Sequence, residues 1–145
     1  MKPERKEFWD ASSYAVVGRS TKQNFPVVTF SALKELGRTV YPIDPEVDTI
    51  DGTKAYKDFS SLPAKVERAI LELPAEDTAV WIEKAAAAGI KQVWIHHGTE
   101  TADALTKANQ LGVNVLTGTC AVMYLLPKKF PHCVHRWIKS LAIDY

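Results

Sequence analysis

A glycine and three polar side chains follow the first apolar run of the chain, and their types fit the binding of a phosphate. Residues 14–17 form the run, and the residues after it include Gly18, Arg19, Ser20 and Lys22. A glycine lets a ligand approach the backbone, and free N–H groups at the start of a following helix attract anions. Arg19 and Lys22 add charged donors. This segment predicts a site for a nucleotide-type ligand.

Other candidate binding residues also follow predicted strands. They are Asp44 and Pro45 after residues 39–43, Pro74 and Ala75 after residues 66–73, and Cys120 after residues 113–116. Open α/β sheets bind ligands in the crevice beyond the carboxyl ends of their strands. We therefore expect these loops to converge with the glycine loop on one edge of a sheet.

Asp44 leaves the identity of the nucleotide open. An acid about 20 residues past a glycine loop accepts hydrogen bonds from ribose hydroxyls in proteins that bind NAD. An NAD(P)-dependent oxidoreductase or a nucleotide-sensing domain is therefore the alternative function. The full G-x-G-x-x-G pattern is missing, however, because no glycine follows Gly18 until Gly37.

Cysteine and histidine residues offer two further chemistries. Cys120 is a candidate nucleophile, although no base is near it in sequence, and a small buried apolar group is the plainer interpretation. His132 and His135 share a helix face and are candidate zinc ligands with Cys120 or Cys133, but a second paired motif is lacking. His96 and His97 end a strand and must point to opposite faces, so at most one of them lines a pocket.

Apolar clusters alternate with helical patterns, which is typical of βαβ units. Strands are predicted at residues 14–17, 39–43, 66–73, 91–96 and 113–116, and helices at about 25–36, 76–88, 101–111 and 130–141. Residues 48–63 are rich in turn formers and contain at most a short strand. The prediction is one three-layer α/β domain over residues 1–145, with a core of about 14–120. Its mostly parallel sheet has five or six strands with helices on both faces, and the last helix packs on it.

The composition excludes several classes of function. The chain has 145 residues, with 18 basic and 17 acidic side chains, and it therefore lacks the positive field of a nucleic-acid-binding protein. No segment is long and apolar enough for a signal peptide or a bilayer span, which predicts a cytoplasmic protein without a membrane partner. The two cysteines form no C-x-x-C pair and should be thiols.

Five sequence blocks carry a resemblance to a known family. They are residues 16–20, 40–45, 73–75, 88–94 and 111–120, in this order along the chain. Together they resemble the small CoA-binding proteins with a Rossmann-like fold, which are related to the amino-terminal domain of the succinyl-CoA synthetase α subunit. The resemblance implies a non-catalytic module that binds coenzyme A or an acyl-CoA.

The resemblance also implies roles for individual residues. Gly18, Arg19, Ser20 and Lys22 would hold the CoA phosphates, Asp44 and Pro45 would lie by the adenosine, Pro74 and Ala75 would line the pantetheine path, and Cys120 would adjoin the site. An interaction domain that binds no small molecule is a third possibility. The sequence does not identify a protein partner.

Overall fold

The strands and helices alternate along the chain in the predicted order. The computed structural model describes residues 3–125. Its strands are β1 (Ser13–Gly18), β2 (Thr39–Ile43), β3 (Thr49–Ile50), β4 (Thr53–Lys54), β5 (Arg68–Glu72), β6 (Gln92–Ile95) and β7 (Asn114–Leu116). Its α-helices are α1 (Pro3–Glu7), α2 (Phe25–Glu35), α3 (Ala75–Ala87), α4 (Ala102–Leu111) and α5 (Val122–Leu125).

Five strands form a parallel sheet in the order β2-β1-β5-β6-β7. The sheet confirms the predicted α/β fold. Its strands read as nearly continuous apolar runs because a parallel sheet is buried on both faces. The chain moves outward from β1 to β2, then returns to place β5 on the other side of β1. The strand order therefore reverses between β1 and β5, and ligands bind at such switch points in open α/β sheets.

Helices cover both faces of the sheet, which confirms the three-layer architecture. Alternate residues of a strand point to opposite faces. Ile70 and Trp94 pack on the face covered by α2 and α5, whereas Leu71 and Ile95 pack on the face covered by α3 and α4. All four side chains are fully buried, so each layer contributes to a continuous apolar core.

Local sequence signals set the ends of α4. The hydroxyl of Thr101 accepts a hydrogen bond from the backbone N–H of Ala104 at 3.1 Å and caps the first turn. Gly112 ends the helix with a left-handed φ of 70°, a conformation that glycine adopts without a steric penalty. These two signals hold α4 between β6 and β7.

The connection between β2 and β5 contains more structure than predicted. Residues 48–63 hold the antiparallel pair β3–β4 and a 3₁₀ turn at Phe59–Ser61, where the sequence predicts at most one short strand. The pairing requires the left-handed φ of 49° at Asp51 and of 71° at Gly52. Asp51 and Gly52, two of the turn formers in residues 48–63, therefore form the turn of a hairpin.

The amino-terminal segment is part of the core. Phe8–Asp10 forms a 3₁₀ turn, and the ring of Trp9 lies 5.0 Å from that of Trp94 and 6.0 Å from that of Tyr124. Leu36, the last residue of the predicted helix at about 25–36, would continue its apolar face but is 55% exposed because α2 ends one residue earlier. The predicted helix at 130–141 lies outside the described residues. Within residues 3–125, no helix combines the length and apolar character needed to span a bilayer.

Candidate functional site

Arg19 joins two loops and the start of a helix at the switch point of the sheet. Its Nη1 lies 3.0 Å from Oδ2 of Asp77 in the first turn of α3, and its Nε lies 2.9 Å from Oε1 of Glu46 after β2. These hydrogen bonds raise the pKa of Arg19, with Glu46 the larger cause, and the guanidinium stays charged. The glycine loop, the β2 loop and the start of α3 are therefore held together by one cation.

The carboxylate of Asp44 occupies the donors of Ser20. Asp44 Oδ2 accepts from the backbone N–H and from the hydroxyl of Ser20, each at 2.8 Å, and Oδ1 accepts from the N–H of Glu46 at 2.8 Å. Asp44 is fully buried, and these three hydrogen bonds compensate for the loss of its hydration. Both carboxylate oxygens of Asp44 therefore accept hydrogen bonds from the protein itself. These are the oxygens with which an aspartate would bind the hydroxyls of an NAD ribose.

Glu46 is a second carboxylate, after Asp44, that contacts residues of the glycine loop. It accepts hydrogen bonds from the hydroxyl of Thr21 and from Arg19, and these two contacts, in that order, lower its pKa. Lys22 is exposed on the same loop. The anion-binding groups that the sequence predicts are thus present, but the chain's own carboxylates contact several of them.

Gly18 makes room for Pro26, where the sequence predicts a ligand contact. A Cβ atom at Gly18 would lie 2.1 Å from Cγ of Pro26 and 3.2 Å from the carbonyl oxygen of Glu72. Pro26 occupies the first turn of α2, where a proline is favoured because its missing N–H needs no partner. The same proline removes one N–H from the end of α2 that faces the crevice.

The remaining predicted site residues lie at the rim of the crevice or below it. Pro45 is exposed, Pro74 and Ala75 are half-buried at the start of α3, and Cys120 is 6% exposed. Burial raises the pKa of Cys120 to about 11, and the thiol is therefore protonated at neutral pH. The site thus lacks an activated thiolate at this position.

Sequence reasoning missed Glu72, which forms a buried polar pair with His96 on the α2 face of the sheet. Gly18 lies opposite Glu72 in the β1–β5 register, and Leu71 lies opposite Ile95 in the β5–β6 register. The N–H of His96 donates to the carbonyl of Leu71 at 2.9 Å, which places His96 beside Glu72. The sequence signal that could have revealed the pair is Glu72, a charged residue inside the apolar run of residues 69–73.

Burial changes the acid–base properties of both members of the pair. Glu72 is 1% exposed, and burial raises its pKa to about 7, although the hydroxyl of Thr29 donates to Oε1. His96 is 8% exposed, and its pKa is lowered by burial and then by His97. His97 itself is exposed, so one histidine of the two faces inward.

A metal cluster was another candidate site in the sequence, and the structure contains a cavity away from the predicted crevice. Among residues 3–125, no three His, Cys, Asp or Glu side chains are placed to hold a metal ion. His132, Cys133 and His135 lie outside that range. A cavity of about 640 Å³, lined in part by Leu62, Val66 and Ile90, lies at the amino ends of β5 and β6, opposite the predicted crevice.

Comparison with known proteins agrees with this architecture. A hypothetical protein from Pyrococcus horikoshii OT3 is 27% identical, with a TM-score of 0.76 over 83% of this chain and 87% of that one. A conserved hypothetical protein from Pyrococcus furiosus is 27% identical, with a TM-score of 0.67 over 74% of this chain and 94% of that one.

A larger enzyme contains a similar unit. The apo form of a dinucleotide-forming acetyl-coenzyme A synthetase 1 from Ca. Korarchaeum cryptofilum is 26% identical, with a TM-score of 0.63 over 77% of this chain and 27% of the synthetase. Residues 12–125 match the family model described as a CoA binding domain. Because that match spans most of the sequence, the chain belongs to the CoA binding domain family and is a CoA-related binding module with a Rossmann-like fold.

Proposed function

We propose that the protein binds coenzyme A or an acyl-CoA in the crevice between the carboxyl ends of β1 and β5, as a module that catalyses no reaction itself. The observation that carries this proposal is the position of Arg19. Its guanidinium lies at the switch point of the sheet and bridges the carboxylate of Glu46 after β2 and that of Asp77 in the first turn of α3. A phosphate in the crevice would meet the same donors, since guanidinium binds carboxylate and phosphate with similar geometry.

Binding is an exchange of anions on Arg19. The side chains of Glu46 and Asp77 are 29% and 28% exposed, so water can solvate them when a phosphate takes their place. Lys22 supplies a second cation from the same loop. Asp44 stays in place because it is buried and holds Ser20, whose part is to fix the shape of the loop.

The rest of the ligand follows the edge of the sheet. We assign the adenosine to the rim near Asp44 and Pro45 and the pantetheine arm to the half-buried Pro74 and Ala75. Cys120 lies below this path as a protonated thiol, which supports binding without covalent catalysis. A cytoplasmic location fits that free thiol, because reducing compartments preserve thiols.

Calorimetric titration with CoA and dephospho-CoA tests the proposal on two opposite variants. Arg19→Glu should weaken CoA binding roughly 10- to 100-fold, the range of one charge-assisted hydrogen bond to the ligand. Glu46→Gln should tighten it about 2- to 5-fold, since it removes a surface ion-pair partner that competes with phosphate. The matched control is Glu83→Gln, which breaks the Lys107–Glu83 ion pair between α3 and α4.

The controls define the contradicting results. Glu83→Gln should leave the affinity unchanged. An unchanged CoA affinity in both Arg19→Glu and Glu46→Gln would contradict the proposal that Arg19 binds a CoA phosphate. A wild-type protein that binds NAD and gives no heat with CoA would replace the proposal with the dinucleotide alternative.

A further inference from the structure

The buried pair Glu72 and His96 holds two polar atoms without partners. Oε2 of Glu72 and Nδ1 of His96 are inaccessible to solvent and have no hydrogen-bond partner among the described residues. Their residues lie side by side at the carboxyl ends of β5 and β6, with side chains on the same face of the sheet. Adjacent strands thus each supply one such atom on the same face of the sheet.

Leaving both atoms unpaired is costly. A buried polar atom that lacks a partner loses the full free energy of its hydration, whereas an apolar side chain of the same shape would lose nothing. Thr29 satisfies Oε1 of the same carboxyl group, so the fold leaves one oxygen open while it binds the other. An unpaired polar atom beside a ligand-binding crevice is explained if the bound ligand supplies its hydrogen-bond partner.

The chemistry of the two atoms indicates which ligand group could form hydrogen bonds with both. The open oxygen of Glu72 accepts a hydrogen bond when the carboxyl is ionised and donates one when it is protonated, and Nδ1 of neutral His96 takes the opposite role by its choice of tautomer. A secondary amide offers the complementary pair, an N–H and a carbonyl oxygen. The pantetheine arm of CoA contains such amides, and Glu72 lies just before the segment at Pro74 and Ala75 to which we assign that arm.

We propose that Glu72 and His96 form a subsite that hydrogen-bonds an amide of the pantetheine arm. This inference rests on the proposed function and adds the residues that recognise the arm. Phe25 lies against the His96 side of the subsite: its ring centroid is 4.5 Å from that of His96, and the residue is 39% exposed. In this proposal the arm reaches the two atoms when this partly exposed ring moves aside.

Two apolar replacements test the subsite by pairing affinity with stability. His96→Phe keeps an aromatic ring against Phe25 and removes Nδ1, and Glu72→Met keeps the length of the chain and removes both oxygens. Each should weaken CoA and pantetheine binding about 3- to 10-fold, the range of one lost hydrogen bond, and leave adenosine 3′,5′-bisphosphate binding unchanged. Glu72→Met should also raise the melting temperature of the free protein. His96→Asn, which returns an amide nitrogen near Nδ1, should restore part of the affinity.

Tyr14→Phe is the matched control for a buried polar group. The hydroxyl of Tyr14 is satisfied, since it donates to the carbonyl of Phe8 at 2.9 Å and accepts from the N–H of Ala11 at 3.1 Å. Its removal should lower the melting temperature and leave CoA affinity unchanged.

The outcomes separate this inference from the proposed function. Wild-type affinity for CoA and pantetheine in both His96→Phe and Glu72→Met would overturn the subsite and leave the binding module intact, and a water would then satisfy the pair. If Glu72→Met fails to fold, unchanged pantetheine binding by His96→Phe alone overturns it. A wild-type protein that binds neither CoA nor adenosine 3′,5′-bisphosphate would remove the proposed function itself.

Discussion

Replacing Glu72 with glutamine should remove a pH dependence from the stability of the protein. The folded protein holds the Glu72 proton with a pKa of about 7, against 4.5 for an ordinary glutamate, because the carboxyl group is buried. Folding therefore opposes ionisation of this group. Its contribution is fully present below about pH 4.5 and is lost as the pH rises to about 7.

The size of the effect follows from the shift. The difference between the two pKa values corresponds to about 3 kcal/mol of unfolding free energy lost between pH 4.5 and 7. The glutamine side chain of Glu72→Gln resembles the protonated carboxyl and does not titrate. We expect the two proteins to be of similar stability near pH 5 and to diverge by up to about 3 kcal/mol by pH 8.

Urea denaturation at half-unit steps from pH 5 to 8 measures this divergence. Among residues 3–125, the groups near Glu72 include Thr29 on α2, His96 after β6 and Cys120 before α5. His96 is present in both proteins, so its titration contributes to both profiles. Glu67→Gln is the control, because hydrogen bonds from Ser12 lower the pKa of Glu67 and confine its effect to more acidic pH. Parallel profiles for wild type and Glu72→Gln would refute the argument from burial.

Two further variants probe the packing below the crevice. Gly18→Ala should lose about 1–3 kcal/mol of stability in urea denaturation, since its Cβ overlaps Pro26, and adding Pro26→Ala should restore part of that loss; an unaffected single variant would show that α2 shifts freely. In a Cys133→Ser background, Cys120 should react with a disulfide reagent at pH 8 roughly 100-fold more slowly in the folded protein than in urea, because burial suppresses the thiolate; equal rates would contradict its burial.

The sequence predicts the sheet well because its signals are local. Apolar runs with glycine or proline at their ends predict each strand of the parallel sheet to within about two residues. The βαβ alternation then leaves few ways to connect them. Leu36 fails the helical pattern because periodicity alone does not say where a helix stops.

The site is harder to predict because its contacts join distant parts of the chain. The sequence shows that Arg19 and Asp44 follow strands, but Arg19 finds Glu46 and Asp77 only after β2 and β5 have both paired with β1. The contact at Gly18 has the same origin, since the need for a small residue is visible in sequence and the neighbour that imposes it is not. The position of Glu72 beside His96 becomes visible only when the register of β5 and β6 is known.

The packing of Trp9 has a consequence for the order of folding. Its ring partners Trp94 and Tyr124 follow it by 85 and 115 residues. At a translation rate of about 5–20 residues per second, Trp94 is synthesised roughly 4–17 s after Trp9. Trp9 therefore cannot be enclosed by these rings until they have been synthesised, and until then it is exposed to chaperones and to other nascent chains.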